Sequence, residues 1–235
     1  MELIDFVTVV SIHQPGYIPW LGFLKKIEYS DVFVFLDDVQ YVKNGYQNRN
    51  KIKTENGEMW LTIPTTGKFK TILKDIKIDN KSRWKEKHSK SIVQNYSKAE
   101  FFNKYWDDMN IFYQKDYEYL IDFNMEIILF LMKKFEIKTK ILFSSELKIS
   151  TEGSERILDI CKLLNAEEYL SGILGKAYLN EDDFIKNNIK VEYQNFQHPK
   201  YSQCYQSFVS HMGAIDLLFN EGVKSKEILK KSLNF

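Results

Sequence analysis

Val7 to Asp38 reads VTVVSIHQPGYIPWLGFLKKIEYSDVFVFLDD, and the order of patterns within it decides the fold. Val7 to Ile12 is a short run rich in β-branched residues that stops at His13-Gln14-Pro15-Gly16, which predicts a buried strand entering a turn. From Trp20 to Tyr29 the apolar residues Leu21, Leu24 and Ile27 recur at helical spacing. Val32 to Leu36 is the next apolar run, and it ends at Asp37-Asp38. Strand, helix and strand in that order predict a βαβ unit whose parallel strands end on one edge of a sheet. Ligands of open α/β sheets bind outside that edge. With the two strands side by side, His13 and Gln14 are expected to meet Asp37 and Asp38.

The remaining chain extends this unit. Val39 to Asn56 is dense in Asn, Gln, Tyr and Lys and reads as a loop, Met59 to Pro64 as a strand, and Ile72 to Ile78 as an exposed strand. Ser82 to Phe135 holds no Pro and no Gly and carries apolar residues at three- and four-residue intervals, which predicts about three helices. Ile141 to Phe143 and Glu168 to Leu170 read as strands, and the latter leads into Ser171-Gly172. Ser154 to Leu164 reads as an amphipathic helix with Ser154 as its N-cap. Asp182 to Lys186 predicts a helix, Lys190 to Phe196 a strand, and Ser210 to Asn220 a final helix. The expected class is α/β, an open Rossmann-like, mostly parallel sheet with a helical insertion and a mixed C-terminal part. One domain over residues 1–235 is expected, with 82–135 as the candidate insertion or subdomain.

Composition narrows the function classes. Thirty-three basic residues against thirty-two acidic ones give a net charge of +1, which provides no general field for DNA or anionic lipid. Only Arg49, Arg83 and Arg156 are arginines, so a bidentate grip on phosphate or carboxylate is confined to three positions. Cys161 and Cys204 are too few for a disulfide framework or a structural zinc site, and a reducing, cytoplasmic setting is the expectation. Met1 to Val10 carries Glu2 and Asp5 and does not read as a signal peptide, while the apolar run Ile127 to Met132 is too short to insert in a membrane. There is no GxGxxG, P-loop, HExxH or CxxC motif, and no metal site is expected.

The candidate chemistry gathers in two places. His13 at a strand end suits an acid, a base or a phosphate contact, and a turn histidine bonded to its own backbone is an equal alternative. Asp37 and Asp38 suit a base or a hydrogen-bond acceptor, although neighbours on a strand face opposite ways. Asn48, Arg49 and Asn50 offer amides and a guanidinium for sugar hydroxyls or a diphosphate, with an ordinary Asn-rich loop as the alternative. Ser171, Gly172 and Lys176 form a short Gly-containing turn with a lysine. The second place is the polar turn from His198 through Tyr201 and Gln203 to Cys204, where His198 is a second candidate acid or base. His88, among the lysines of Lys85 to Lys90, reads as a surface residue.

Together, Ser11 to Gly22 (SIHQPGYIPWLG), Asp31 to Gln40 (DVFVFLDDVQ), Asn48 to Ile52 and Trp60 to Pro64 resemble the WbqC-like protein family. The likeness continues through Tyr169 to Gly172, the turn of His198, Pro199 and Tyr201, and Ile215 to Gly222, which is nearly the whole chain. This resemblance implies bacterial surface-polysaccharide (O-antigen-type) biosynthesis and transfer of an acyl or aminoacyl group, glycyl among them, to an amino sugar. It implies His13, Asp37, Asp38 and His198 as catalytic residues. Gln14, Tyr17, Gln40, Asn48, Arg49, Asn50, Ser171, Gly172, Lys176, Tyr201 and Gln203 are the candidate substrate contacts, and the resemblance supports Asn48 and Arg49 among them. The expected partners are an amino-sugar nucleotide or lipid-linked amino sugar and an acyl carrier protein. The donor stays open between a carrier-protein thioester, a coenzyme A thioester and a charged tRNA, as does the oligomeric state. An ATP-using nucleotidyl-transfer or ligase activity and a non-catalytic sugar-nucleotide-binding role are the alternatives.

Overall fold

A computed structural model of the protein describes residues 8–67 and 70–232. The chain runs β1 (Val9–His13), α1 (Leu21–Tyr29), β2 (Val32–Phe35), β3 (Arg49–Thr54), β4 (Gly57–Thr62), β5 (Thr65–Thr66) and β6 (Lys77–Ile78). Three helices follow, α2 (Trp84–Tyr96), α3 (Phe102–Gln114) and α4 (Leu120–Lys134). Then come β7 (Lys140–Phe143), α5 (Gly153–Leu163), β8 (Glu168–Ser171), α6 (Glu181–Lys186), β9 (Lys190–Tyr193), α7 (Ile215–Glu221) and α8 (Ser225–Lys231). The main sheet has the order β7-β2-β1-β8-β9, and all its neighbours pair in parallel. This is the open α/β architecture expected, and β1-α1-β2 is the βαβ unit read from residues 7–38. Val7, where the first strand was expected to start, lies outside the described residues, as does most of Met1 to Val10.

Strand alternation feeds two apolar layers. Phe33 and Phe35 join the larger core with Leu24 of α1, Tyr96 of α2, Phe123 of α4 and Phe219 of α7. Val34, between them, joins Val10, Ile12, Ile160 of α5 and Phe184 of α6 in the second. Both faces of the sheet are therefore covered, as a parallel sheet requires. Among the described residues no helix is long and apolar enough to cross a membrane.

Several local expectations are corrected. Arg49 to Thr54, expected in a loop, is a strand paired antiparallel with β4, and the hairpin stands outside the main sheet. The Asn56-Gly57 dipeptide, with Gly57 at φ 113°, marks its turn. Ile72 to Ile78 is a 3₁₀ turn at Leu73–Asp75 followed by the two-residue β6, so it adds nothing to the main sheet. Ser154 lies inside α5, whose N-cap is Glu152, and its Oγ accepts a bond from the Asn180 amide.

His88 is also corrected, because it is buried. Its Nε2 faces the Thr62 carbonyl at 3.2 Å and must donate there, which leaves Nδ1 to accept from the Tyr17 hydroxyl at 2.9 Å. With the imidazole neutral, Tyr113 donates to the Tyr17 oxygen at 2.6 Å. Burial pulls the His88 pKa down to about 4, against the Thr62 bond. A histidine that resists protonation only when folded stabilises the protein fully above its unfolded value, near 6.5. That contribution is lost as pH falls toward 4, and it amounts to about 3 kcal/mol. Denaturant titrations should therefore show stability falling from pH 6.5 to 4, and His88→Gln should flatten that fall. An unchanged slope in the variant would rule this origin out.

Candidate functional site

Strand β1 changes partners along its length, and the site follows from that. With β2 it stays in register as far as His13 opposite Phe35, but with β8 the pairing ends at Ser11 opposite Leu170. The chain proceeds from β1 to β2 on one side and reaches β8 and β9 on the other, so β1 and β8 flank the switch point of the sheet. A crevice of about 340 Å³ opens there, outside the carboxyl ends of the strands. His13 and Lys26 come from the β1 and α1 side, Gly172 from the end of β8, and Gln194 and Asn195 from the end of β9. Trp20, Phe23 and Phe196 supply aromatic walls.

The His13 ring is open to the crevice and packs edge-on against Phe23 at 5.2 Å. Its Nδ1 lies 2.9 Å from the Gln14 carbonyl, an acceptor only, so Nδ1 carries the proton and Nε2 the lone pair. Desolvation, then the positive charge of Lys26, lowers its pKa against the pull of the Gln14 bond. At neutral pH this is an uncharged imidazole. Lys26 lies beneath it with its Nζ donating to the Ile12 carbonyl at 3.1 Å, and burial lowers its pKa to about 7.

The loop that carries Trp20 to the rim is held in an unusual shape. Ile18 has φ 41°, a region that β-branched residues rarely enter. The Asn50 side chain donates to the Ile18 carbonyl at 2.8 Å, and Ala214 N donates to Pro19 O at 2.8 Å. Gly213 permits this approach, since a Cβ there would lie 2.6 Å from the Ile18 side chain.

A second polar centre organises residues 196–211. Asp216, fully buried in the first turn of α7, accepts from Tyr96 at 2.8 Å and from Tyr201 and Gln203 at 2.7 Å each. Burial raises its pKa against those three bonds. Gln203 also bonds both the amide and the carbonyl of Val209, which closes the loop. Around it lies an aromatic cluster in which His211 stacks on Trp20 at 5.1 Å and His198 packs 5.1 Å from His211. The His198 Nδ1 bonds the Pro199 carbonyl at 2.9 Å, its Nε2 has no partner, and burial lowers its pKa. His198 thus reaches the crevice only through the rings of Phe196 and of His211 on Trp20. The Cys204 and Cys161 thiols are both pushed up by burial, Cys161 to about 12, which disfavours a thiolate at either.

The WbqC-like protein family matches residues 14–228, which begins just after His13 and includes the loop, Lys26, the Asp216 centre and every strand of the sheet except β1. The chain belongs to the WbqC-like family. It is also 30% identical over 225 residues to the uncharacterized protein Rv1507c of Mycobacterium tuberculosis, covering 94% of this chain and 97% of that one. No solved structure is a significant match.

In this WbqC-like chain the expected meeting of His13 with Asp37 and Asp38 does not occur. Neither carboxylate lines the crevice. Asp37 is buried; its amide donates to the Ser144 hydroxyl oxygen at 3.3 Å, and its carboxylate takes bonds from the Ser145 amide at 2.9 Å and the Ser145 hydroxyl at 2.6 Å. Asp38 pairs with Arg156 at 2.6 Å and accepts from Ser144 at 2.5 Å; burial raises its pKa, but these bonds outweigh burial and hold it low. Both clamp the end of β2 to the turn after β7, on the far side of β1.

Other candidates are likewise placed in the framework. Tyr17 is fully buried in the His88 chain, while Asn48 bonds the Ile63 carbonyl at 2.8 Å and Asn50 holds Ile18. The Gln14 side chain accepts from Gln47. Arg49 lies over the Trp60 ring at 4.3 Å, and Lys176 over Tyr193 at 5.0 Å. Gln40 lines a separate cavity beside Tyr41 and Thr65, and the buried Ser171 bonds the Gly172 carbonyl. Of the residues read from sequence, the crevice brings together His13 and Gly172. Trp20, Lys26, Gln194 and Asn195 were missed. The only sequence signal for Lys26 was its place one turn before the end of α1, facing the strand it follows.

Proposed function

We propose that the crevice is the active site of a transferase that acylates the amino group of an amino sugar, in keeping with the family's implied place in surface-polysaccharide synthesis. The observation that carries this reading is the neutral His13 imidazole, with a lone pair on Nε2, at the switch point of the sheet. The sugar nitrogen attacks the acyl carbonyl carbon as the carbon–sulfur bond of a thioester breaks. Nε2 takes the proton from the attacking nitrogen and returns it to the departing thiolate. Trp20 and Phe196 offer flat faces to a sugar or base, and Asn195 offers an amide to hydroxyls. Ile173 and Leu174, exposed on the rim, give an acyl or carrier arm an apolar path.

A donor panel tests the reading. The protein is incubated with an amino-sugar nucleotide and, in turn, acyl-carrier thioesters, coenzyme A thioesters, charged tRNA, or ATP with a carboxylic acid, and products are weighed by mass spectrometry. A mass increase on the sugar with a thioester is the expected result. Pyrophosphate release from ATP, with no product from any thioester, would replace acyl transfer by a ligase reaction.

A further inference from the structure

Lys26 is only 2% exposed, yet it lines the crevice beside His13. Its neighbour Lys25 is committed elsewhere, bonded to Glu28 at 2.9 Å and to the Lys230 carbonyl at 3.0 Å. Lys26 has the Ile12 carbonyl as its hydrogen-bond acceptor and forms no ion pair among the described residues. That carbonyl is free to accept because β1 has already parted from β8. A charged ammonium has three donors, so two remain unused. A buried cation with neither counter-charge nor a full set of acceptors is costly, and an anion arriving from the crevice removes that cost.

We infer that Lys26 is the anion-binding residue of the crevice, giving its two spare donors to phosphate or carboxylate oxygens of a substrate held beside His13. The inference rests on the crevice being the substrate site, and it supplies an anion contact in a crevice that Arg49 does not line. The diphosphate of a sugar nucleotide is the favoured source, since Trp20 and Phe196 flank the same space and suit the attached ring. The lowered pKa of Lys26 adds to this, because an anion that restores its charge binds the protonated form selectively.

Isothermal titration of the full chain with uridine diphosphate, inorganic phosphate and acetate tests the assignment. Lys26→Met keeps the aliphatic length and removes the charge. Uridine diphosphate should bind the wild type and bind this variant at least about tenfold more weakly, as loss of charge-assisted bonds predicts. A loss confined to acetate would assign the site to a carboxylate. If Lys26→Met does not fold, Lys26→Gln, which retains a donor for Ile12, serves the same comparison. Equal affinity in the variant, or no binding of any of the three anions to the wild type at millimolar concentration, overturns the assignment. Weakened anion binding together with a blank donor panel would leave Lys26 in place and remove acyl transfer. Product formation with unaltered binding in Lys26→Met would do the reverse.

Discussion

His13→Ala should lower turnover about 10²- to 10⁴-fold, the range spanned by a positioned general base, while the fold survives. The ring is open to the crevice, and its bonding is a single contact with the adjacent Gln14 carbonyl. Its removal therefore costs little stability, and the melting temperature should move by only a few degrees. His13→Gln separates two roles for Nε2, since the amide reaches a similar place but cannot accept a proton at neutral pH. Activity restored in the glutamine variant would mean that His13 positions the substrate by hydrogen bonding. A His13→Ala enzyme that turns over like the wild type would remove the imidazole from the reaction.

Asp216→Ala should be the most damaging single change to the framework, with a loss of about 3–5 kcal/mol. The carboxylate is the shared acceptor for Tyr96, Tyr201 and Gln203, and its removal leaves three buried donors without it. In a chain of this size the melting temperature should fall by about 10 °C or more. Asp216→Asn should lose less, since its carbonyl still accepts on one side while its amide opposes a donor on the other. Amide hydrogen exchange should rise first in residues 196–211, because Gln203 and Tyr201 tie that loop to α7. Denaturation of Asp216→Ala within about 1 kcal/mol of the wild type would show that the centre is not the anchor its bonds describe.

The two largest expected effects thus fall on different layers of the molecule. His13 stands at a strand end, where local sequence is informative: an apolar β-branched run followed by a polar residue and a turn places that residue on the ligand-binding edge. Asp216 is joined to Tyr96 across 120 residues, and local pattern carries no trace of that partnership. Asp37 and Asp38 lie between these cases. Their position at the end of β2 was legible, and their partners Ser144, Ser145 and Arg156, more than a hundred residues away, were not. Those partners tie both carboxylates to the turn after β7 and to α5.

Periodicity by itself determined the parallel βαβ start, the helices within 82–135 and the candidacy of His13, since each depends on residues a few positions apart. Only the tertiary structure decided the order β7-β2-β1-β8-β9, and with it which strand ends border an opening and which side chains are used up in bonding. The physical reason is that burial and hydrogen-bond partnership belong to contacts between distant segments. Lys26, Asp37 and His88 therefore acquire their roles only once the sheet and its helices are assembled.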